Sequence, residues 1–320
     1  MRVLTGFVLL ASLTVQAREL GESEQLAWFN YQLAVAEATG DVRSDQQMIK
    51  MLGLTESLAP PTGGEDAMPS EPMRAYRARA HVVAAELQAR VAAARDGDPF
   101  LLGGDLGCGP KAADMSTCDS RRAKLEPFAA INAYHGVVLM AYAWAREDAD
   151  AYLRAARLAA SADTYDSLPA FGLQSLVDRY RNVPLPATPD MDALTRSHPA
   201  EVMALGMSAA IAFPPLQNFS QPCRESEGEL RGYCLAIAKK MMMGGQHIIE
   251  VHIAMSVVKA IGTPADIALA QARKRETEWL QQEALPLLAA SEKVAVAGMD
   301  DFFEAYGSGG EIEALRALQP

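Results

Sequence analysis

This sequence predicts an all-α fold: helical hairpins packed as a bundle or short solenoid, with two disulfide-closed loops. Three observations predict it. Apolar residues recur at helical spacing through most of the chain. No alternating apolar and polar run is long enough to suggest a sheet. Four cysteines, Cys108, Cys118, Cys223 and Cys234, stand beside stretches rich in helix breakers. Hydrophobic residues make up 50% of the 320 positions, enough for a substantial core in one large domain or two ordinary ones.

The first segment, 1–17, has the pattern of a cleavable secretory signal peptide. Arg2 supplies the basic start, residues 3–15 are dominated by Leu, Val, Phe and Ala, and Val15-Gln16-Ala17 puts small residues where a signal peptidase cuts. The apolar run is shorter than the ~20 residues of a spanning helix, and Arg18-Glu19 follow at once. No Cys follows the run to take a lipid anchor. Charged residues interrupt every later apolar stretch, so no membrane span is expected in a mature chain beginning at Arg18. The expected location is the periplasm or the extracellular space.

An N-terminal helical segment, 18–58, comes next. Leu26, Phe29, Leu33 and Ala36 set a helix over 23–38 with Ser23 as its N-cap, and a second, shorter helix covers 44–58. Ala59-Pro60-Pro61-Thr62-Gly63-Gly64 ends it and opens a linker, 59–70. The main helical domain, 71–320, begins with a long helix over 71–95, where Pro72 suits the first turn and no Gly or Pro follows.

Two helices, 129–146 and 148–162, are joined by the turn Arg146-Glu147-Asp148 and should pack as an antiparallel hairpin. Another helix covers 199–212 and stops at Phe213-Pro214-Pro215. A second hairpin, 228–243 with 246–261, turns at Gly244-Gly245. Thr263 caps a helix that starts at Pro264 and extends past Trp279 to Glu283. Gly307-Ser308-Gly309-Gly310 reads as flexible, with 311–318 as a terminal turn or short helix.

Leu125-Glu126-Pro127, Asn132-Ala133-Tyr134, Tyr142-Ala143-Trp144, Ala151 and Ala155 together resemble a tetratricopeptide-type helical repeat over about 125–163. In that family an aromatic on the first helix packs against small residues on the second, and Tyr142 and Ala151 have its spacing. Leu139 stands where the repeat usually has glycine, and Asp163 where it closes with proline. The resemblance implies stacked hairpins offering a concave surface to a protein or peptide, with Tyr134, Tyr142 and Trp144 as candidate contacts. In overall style the chain also resembles uncharacterised exported α-helical proteins of Gram-negative bacteria. That likeness implies export and no particular activity.

An even cysteine count in an exported chain implies two disulfides. Of the three possible pairings, Cys108 with Cys118 and Cys223 with Cys234 are favoured, because each pair is close in sequence and flanks a breaker-rich loop. Each bridge would add about 2 to 3 kcal/mol by restricting the unfolded chain. Neither C-x-x-C nor paired Cys/His spacing is present to suggest a redox or zinc site.

The formal net charge is −11 and grows one unit more negative if Arg2 leaves with the leader. Such a surface repels phosphate backbones, so nucleic acid is excluded as a partner. The segment His247-Ile248-Ile249-Glu250-Val251-His252 superficially resembles a helical zinc site. Its histidines, however, stand about 140° apart at ~100° per residue and cannot share an ion. His247 and Glu250 do share a face and supply two candidate ligands. Met241-Met242-Met243 with Met255 suggests copper, though methionines also fill core gaps. Hydrolase elbows, phosphate-binding loops and dinucleotide fingerprints are all missing. Asp300-Asp301 and the pair Asp163 and Asp166 lie at helix ends, where carboxylates cap amides. The leading expectation is therefore an exported helical binding or scaffolding protein with a protein or peptide partner and no cofactor. The alternatives are a periplasmic enzyme with a dispersed site, and copper or zinc handling through the 241–255 segment.

Overall fold

Helices form where apolar spacing and capping residues predict them. The structure is a computed structural model that describes residues 22–58, 70–104, 115–167, 172–186, 192–211, 216–291 and 298–318. The predicted leader, residues 59–69 of the linker, and Cys108 lie outside the described residues.

In chain order the helices are α1 (Glu22–Glu37), α2 (Val42–Leu58), α3 (Glu71–Ala94), α4 (Pro99–Gly104) and α5 (Met115–Ala129). Next come α6 (Ala133–Ala145), α7 (Ala149–Ser161), α8 (Leu173–Arg181), α9 (Ala193–Ser197) and α10 (Pro199–Ile211). The last are α11 (Leu216–Arg224), α12 (Gly228–Gly244), α13 (Ile248–Ile261), α14 (Pro264–Ser291) and α15 (Met299–Ala317). Among the described residues there is no strand, only a bridge between Asn132 and Thr164. Nor, among them, is any helix long and apolar enough to cross a membrane.

The helices group into two packing units. The first holds α1 to α3 with α8 to α10, and the second holds the rest. Helix α3, which the sequence partition sets at the head of the main domain, packs on α1 and α2. Its buried stripe of Met73, Tyr76, Val83, Leu87 and Val91 recurs at helical spacing, and Tyr76 stacks on Phe29 of α1 at 5.3 Å between ring centroids. Asp41 starts α2 by accepting the Ser44 N–H at 2.8 Å. Helix α8 lies on α2 and α10 and sends Arg179 into the interior, where it pairs with Asp45. Arg90 of α3 completes that arrangement by donating two hydrogen bonds to the same carboxylate, at 2.8 and 2.9 Å.

In the second unit the predicted hairpin is α6 with α7. Asn132 caps α6 by accepting the Tyr134 N–H, and Asp148 caps α7 by accepting the Ala151 N–H. The two helices approach closely because Gly136 faces Ala159, where an added Cβ would lie 2.3 Å from the alanine methyl. Helix α7 then packs on α12, α12 on α13, α13 on α14, and α14 on α15. At the start of α14, Thr263 and Asp266 cap each other's amides as the sequence suggests. Lys239 and Thr263 hold the Asp266 carboxyl down at about 2.

Two expectations need correction. Cys223 and Cys234 are bonded, but Cys223 lies on α11 and Cys234 on α12, so the bridge ties two helices and does not close a loop. Pro222, the breaker next to Cys223, sits within α11. Cys118 is buried on α5. Likewise, Gly307 to Gly310 do not form a flexible link. They lie inside α15, which breaks only at Gly310 with φ of 79°. The break is held from outside: the Gln246 carbonyl accepts the Ile312 N–H at 3.1 Å, and a Cβ at Gly310 would lie 2.5 Å from the Gln246 side chain.

Candidate functional site

The aromatic trio suggested by the repeat resemblance does not share a groove. Tyr134 is buried between Phe100 and Tyr165, with centroids at 5.9 and 6.2 Å. Tyr142 is buried too; its hydroxyl donates to Asp119 at 3.2 Å and accepts from Arg146 at 2.7 Å. Trp144 alone is exposed, at 45%, edge-on to Tyr152.

The methionines and histidines also scatter. Met241, Met242 and Met255 are core residues, while Met243 faces solvent. His252 reaches Thr277 at 3.4 Å. His247 precedes α13 as its N-cap residue, so it does not share a helical face with Glu250. Among the described residues no group of three or more His, Cys, Asp or Glu converges to hold a metal.

What His247 and Glu250 do join is a buried polar cluster at the start of α13. Glu250, three residues past the N-cap, accepts the N–H groups of Gln246 and His247, each at 3.2 Å. Its Oε1 accepts the Tyr165 hydroxyl at 2.8 Å, and Oε2 the Ser167 hydroxyl at 3.0 Å. Glu311 from α15 accepts the next amide, Ile248 N–H, at 2.9 Å. Two carboxylates therefore meet one helix N-terminus, where the amide dipoles favour negative charge. Burial still dominates: it pushes the Glu250 and Glu311 carboxyls up, and Glu250 adds repulsion at Glu311. Burial likewise holds His247 down at about 4 and lifts the Tyr165 and Tyr306 hydroxyls well above their ordinary range.

The centre of this cluster is closed to solvent, with Glu250 and Ser167 fully buried, while Gln246, Asp166 and Glu311 at its edge are partly exposed. The Glu250 carboxylate is satisfied by the Tyr165 and Ser167 hydroxyls and the two amides. Gln246 donates to Asp166, and Asn132 holds the Asp166 backbone by both its N–H and its carbonyl, at 3.0 and 2.8 Å. Chemically, it fastens residues 164–167 and the α15 break to the head of α13. The His247-to-Glu250 spacing carried the signal, since an acid three residues after a cap is a capping pattern.

An open site lies in the first unit, where α2 and α3 flank a cleft of about 270 Å³. Ile49, Leu52 and Gly53 of α2 form one wall. Opposite them, Arg77, His81, Ala84 and Gln88 recur every three or four residues and so form one stripe of α3, beside its buried face. Tyr76 and Ala80 also line the cleft. The wall therefore mixes apolar surface with hydrogen-bond donors, the usual make-up of a ligand site. Arg77 Nε is buried in that wall without a hydrogen-bond partner. Sequence reasoning missed this stripe, because Arg, His and Gln at helical spacing look like an ordinary solvated face until the facing helix is placed.

The fold and these two sites define a helical protein with a locked polar cluster in one unit and an open, donor-lined cleft in the other. Comparison with known protein families, curated proteins and solved structures finds no match.

Proposed function

We propose that the chain is an exported helical binding protein that holds a protein or peptide partner, with the cleft between α2 and α3 as the partner's seat. The observation that carries this reading is the buried, unpartnered Arg77 Nε in the wall of an open 270 Å³ cleft. A buried donor without an acceptor is costly, and a partner seated in the cleft would supply one once the partly exposed Arg77 side chain turns toward it. Export is supported by the leader pattern in 1–17 and by the Cys223–Cys234 bridge, which suits an oxidising compartment. A second bridge, Cys108 with Cys118, belongs to the same reading. The enzyme alternative would look to the Glu250 cluster, whose closure to solvent gives it less support.

The reading is tested with a photo-crosslinking amino acid at position 84, inside the cleft, in the chain expressed with its leader. A specific adduct from that position, lost on Gly53→Leu, is the expected result. The Gly53 site is open, with nothing within 4 Å of an added Cβ, so leucine fills the cleft without a backbone clash. No adduct, or an adduct indifferent to Gly53→Leu, would reject it. Mass spectrometry of the exported product should show Arg18 as its first residue.

A further inference from the structure

Resting on that binding reading, we infer that the α2–α3 cleft recognises an extended peptide segment bearing a carboxylate side chain, and that Arg77 is the anchor for that carboxylate. Three observations converge on this occupant.

The first is charge. The chain as a whole is acidic, yet α3 carries Arg74, Arg77, Arg79 and Arg90 against Glu71 and Glu86. Two of these arginines are spent inside the unit: Arg79 pairs with Glu37, and Arg90 with Asp45. Arg77 keeps its Nε buried and unpartnered, and among the described residues no acidic side chain lines the cleft. A guanidinium so placed gains most from an ionised, planar acceptor, and its fork matches a carboxylate.

The second is the spacing of the donors. Arg77 and Gln88 stand eleven positions apart on α3, ~16 Å at the helical rise, with His81 between them. A single-headed amphiphile brings one polar group to a cleft whose polar side chains are spread along this whole length. An extended peptide of about five residues matches the length and brings a backbone acceptor every few ångströms.

The third is the rest of the lining. Ile49, Leu52, Ala80 and Ala84 provide apolar surface between the donors, and Tyr76 is fixed from behind by its stack on Phe29. The preferred segment is thus one acidic residue flanked by small or aliphatic ones. Long polyanions are disfavoured by the net negative charge of the chain as a whole.

A phage-displayed library of random heptapeptides, selected on the mature chain with its disulfides intact, tests this directly. The selected set should be enriched in Asp or Glu at one position with aliphatic neighbours. Synthetic peptides from that set should bind about tenfold more weakly to Arg77→Gln, and as weakly when their acid is changed to its amide. Gly53→Leu should abolish binding, with circular dichroism unchanged and melting no lower than wild type in both variants. Failure to select any peptide, a selected set without acidic enrichment, or affinity for Arg77→Gln within about twofold of wild type would each overturn the inference. A cleft-dependent adduct at position 84 with no acidic preference would end this inference and leave the binding reading standing. Loss of that adduct's dependence on Gly53 would end both.

Discussion

The Tyr165 hydroxyl donates to Glu250 Oε1 across 2.8 Å, joining residues 85 positions apart inside the second unit. Neither group reaches water: Glu250 is fully buried and Tyr165 nearly so. The same carboxylate serves Ser167 and two backbone amides, so one side chain fixes both the start of α13 and the extended segment beside α6.

Removing that carboxylate should therefore cost more than removing any single donor to it. Glu250→Ala leaves the Tyr165 hydroxyl and two amides without their acceptor, while Ser167 keeps Gln246 Oε1 at 2.9 Å, and each buried orphan costs about 1 to 3 kcal/mol. A loss of roughly 4 kcal/mol or more is expected in denaturant unfolding, against about 1 to 2 for Tyr165→Phe. Equal losses for the two variants would show that Glu250 does not organise the cluster.

The pH dependence of the cluster has two opposing parts. Burial holds His247 down at about 4, below its value in the unfolded chain. As pH falls from about 6.5 to 4, the unfolded state takes a proton that the folded state refuses, so acidification destabilises. Glu250 and Glu311 shift the other way, raised first by burial, so their stabilising contribution is present at low pH and fades as pH climbs above the usual carboxylate range. His247→Gln should gain on wild type by up to roughly 3 kcal/mol as pH drops from 7 to 4. Glu311→Gln keeps an oxygen for the Ile248 amide and loses the repulsion with Glu250, so its advantage should be greatest at neutral pH and shrink on acidification. Unfolding curves at several pH values read both differences, and parallel profiles for wild type and variants would count against the assignment.

Where a local rule set the structure, the sequence was legible. Asp148 before α7 and Thr263-Pro264 before α14 start helices because a side-chain oxygen and a fixed φ act within three residues. Gly307 to Gly310 misled, because glycine's preference for turns was outweighed by packing against Gln246, a residue far away in sequence. For the same reason Ser167, Gln246 and Glu311 could not be read as partners of Glu250. The Cys223–Cys234 pairing was legible from proximity, whereas its helical setting was not, since Pro222 is accommodated inside α11.

Asp45 and Arg179 form a second buried dependence, this one in the first unit. Both side chains are almost entirely buried and hydrogen-bonded to each other, while Arg90, the outer partner of Asp45, is half exposed. Asp45→Ala strands the Arg179 charge in the interior and should cost about 3 to 5 kcal/mol. Arg90→Ala leaves the inner pair intact and should cost no more than about 1 kcal/mol. Segment-resolved hydrogen exchange provides a second readout: protection in α2 and α8 should collapse for the first variant and persist for the second.

Two glycines inside helices should respond to alanine in opposite directions. Gly136 sits at the crossing of α6 and α7, where a new Cβ would lie 2.3 Å from the Ala159 Cβ and 2.9 Å from its Cα. The helices must separate to admit it, so Gly136→Ala should destabilise by about 1 to 3 kcal/mol. Gly232 stands on the exposed side of α12 with nothing within 4 Å of an added Cβ. There, alanine only restricts the unfolded chain and favours the helix, so Gly232→Ala should stabilise by about 0.5 to 1 kcal/mol. The double change Gly136→Ala with Ala159→Gly removes the methyl collision but keeps the close approach to the Ala159 backbone, so it should recover part of the loss. Full recovery would place the strain in the two methyls alone, and no recovery would mean that the crossing is not set by this pair.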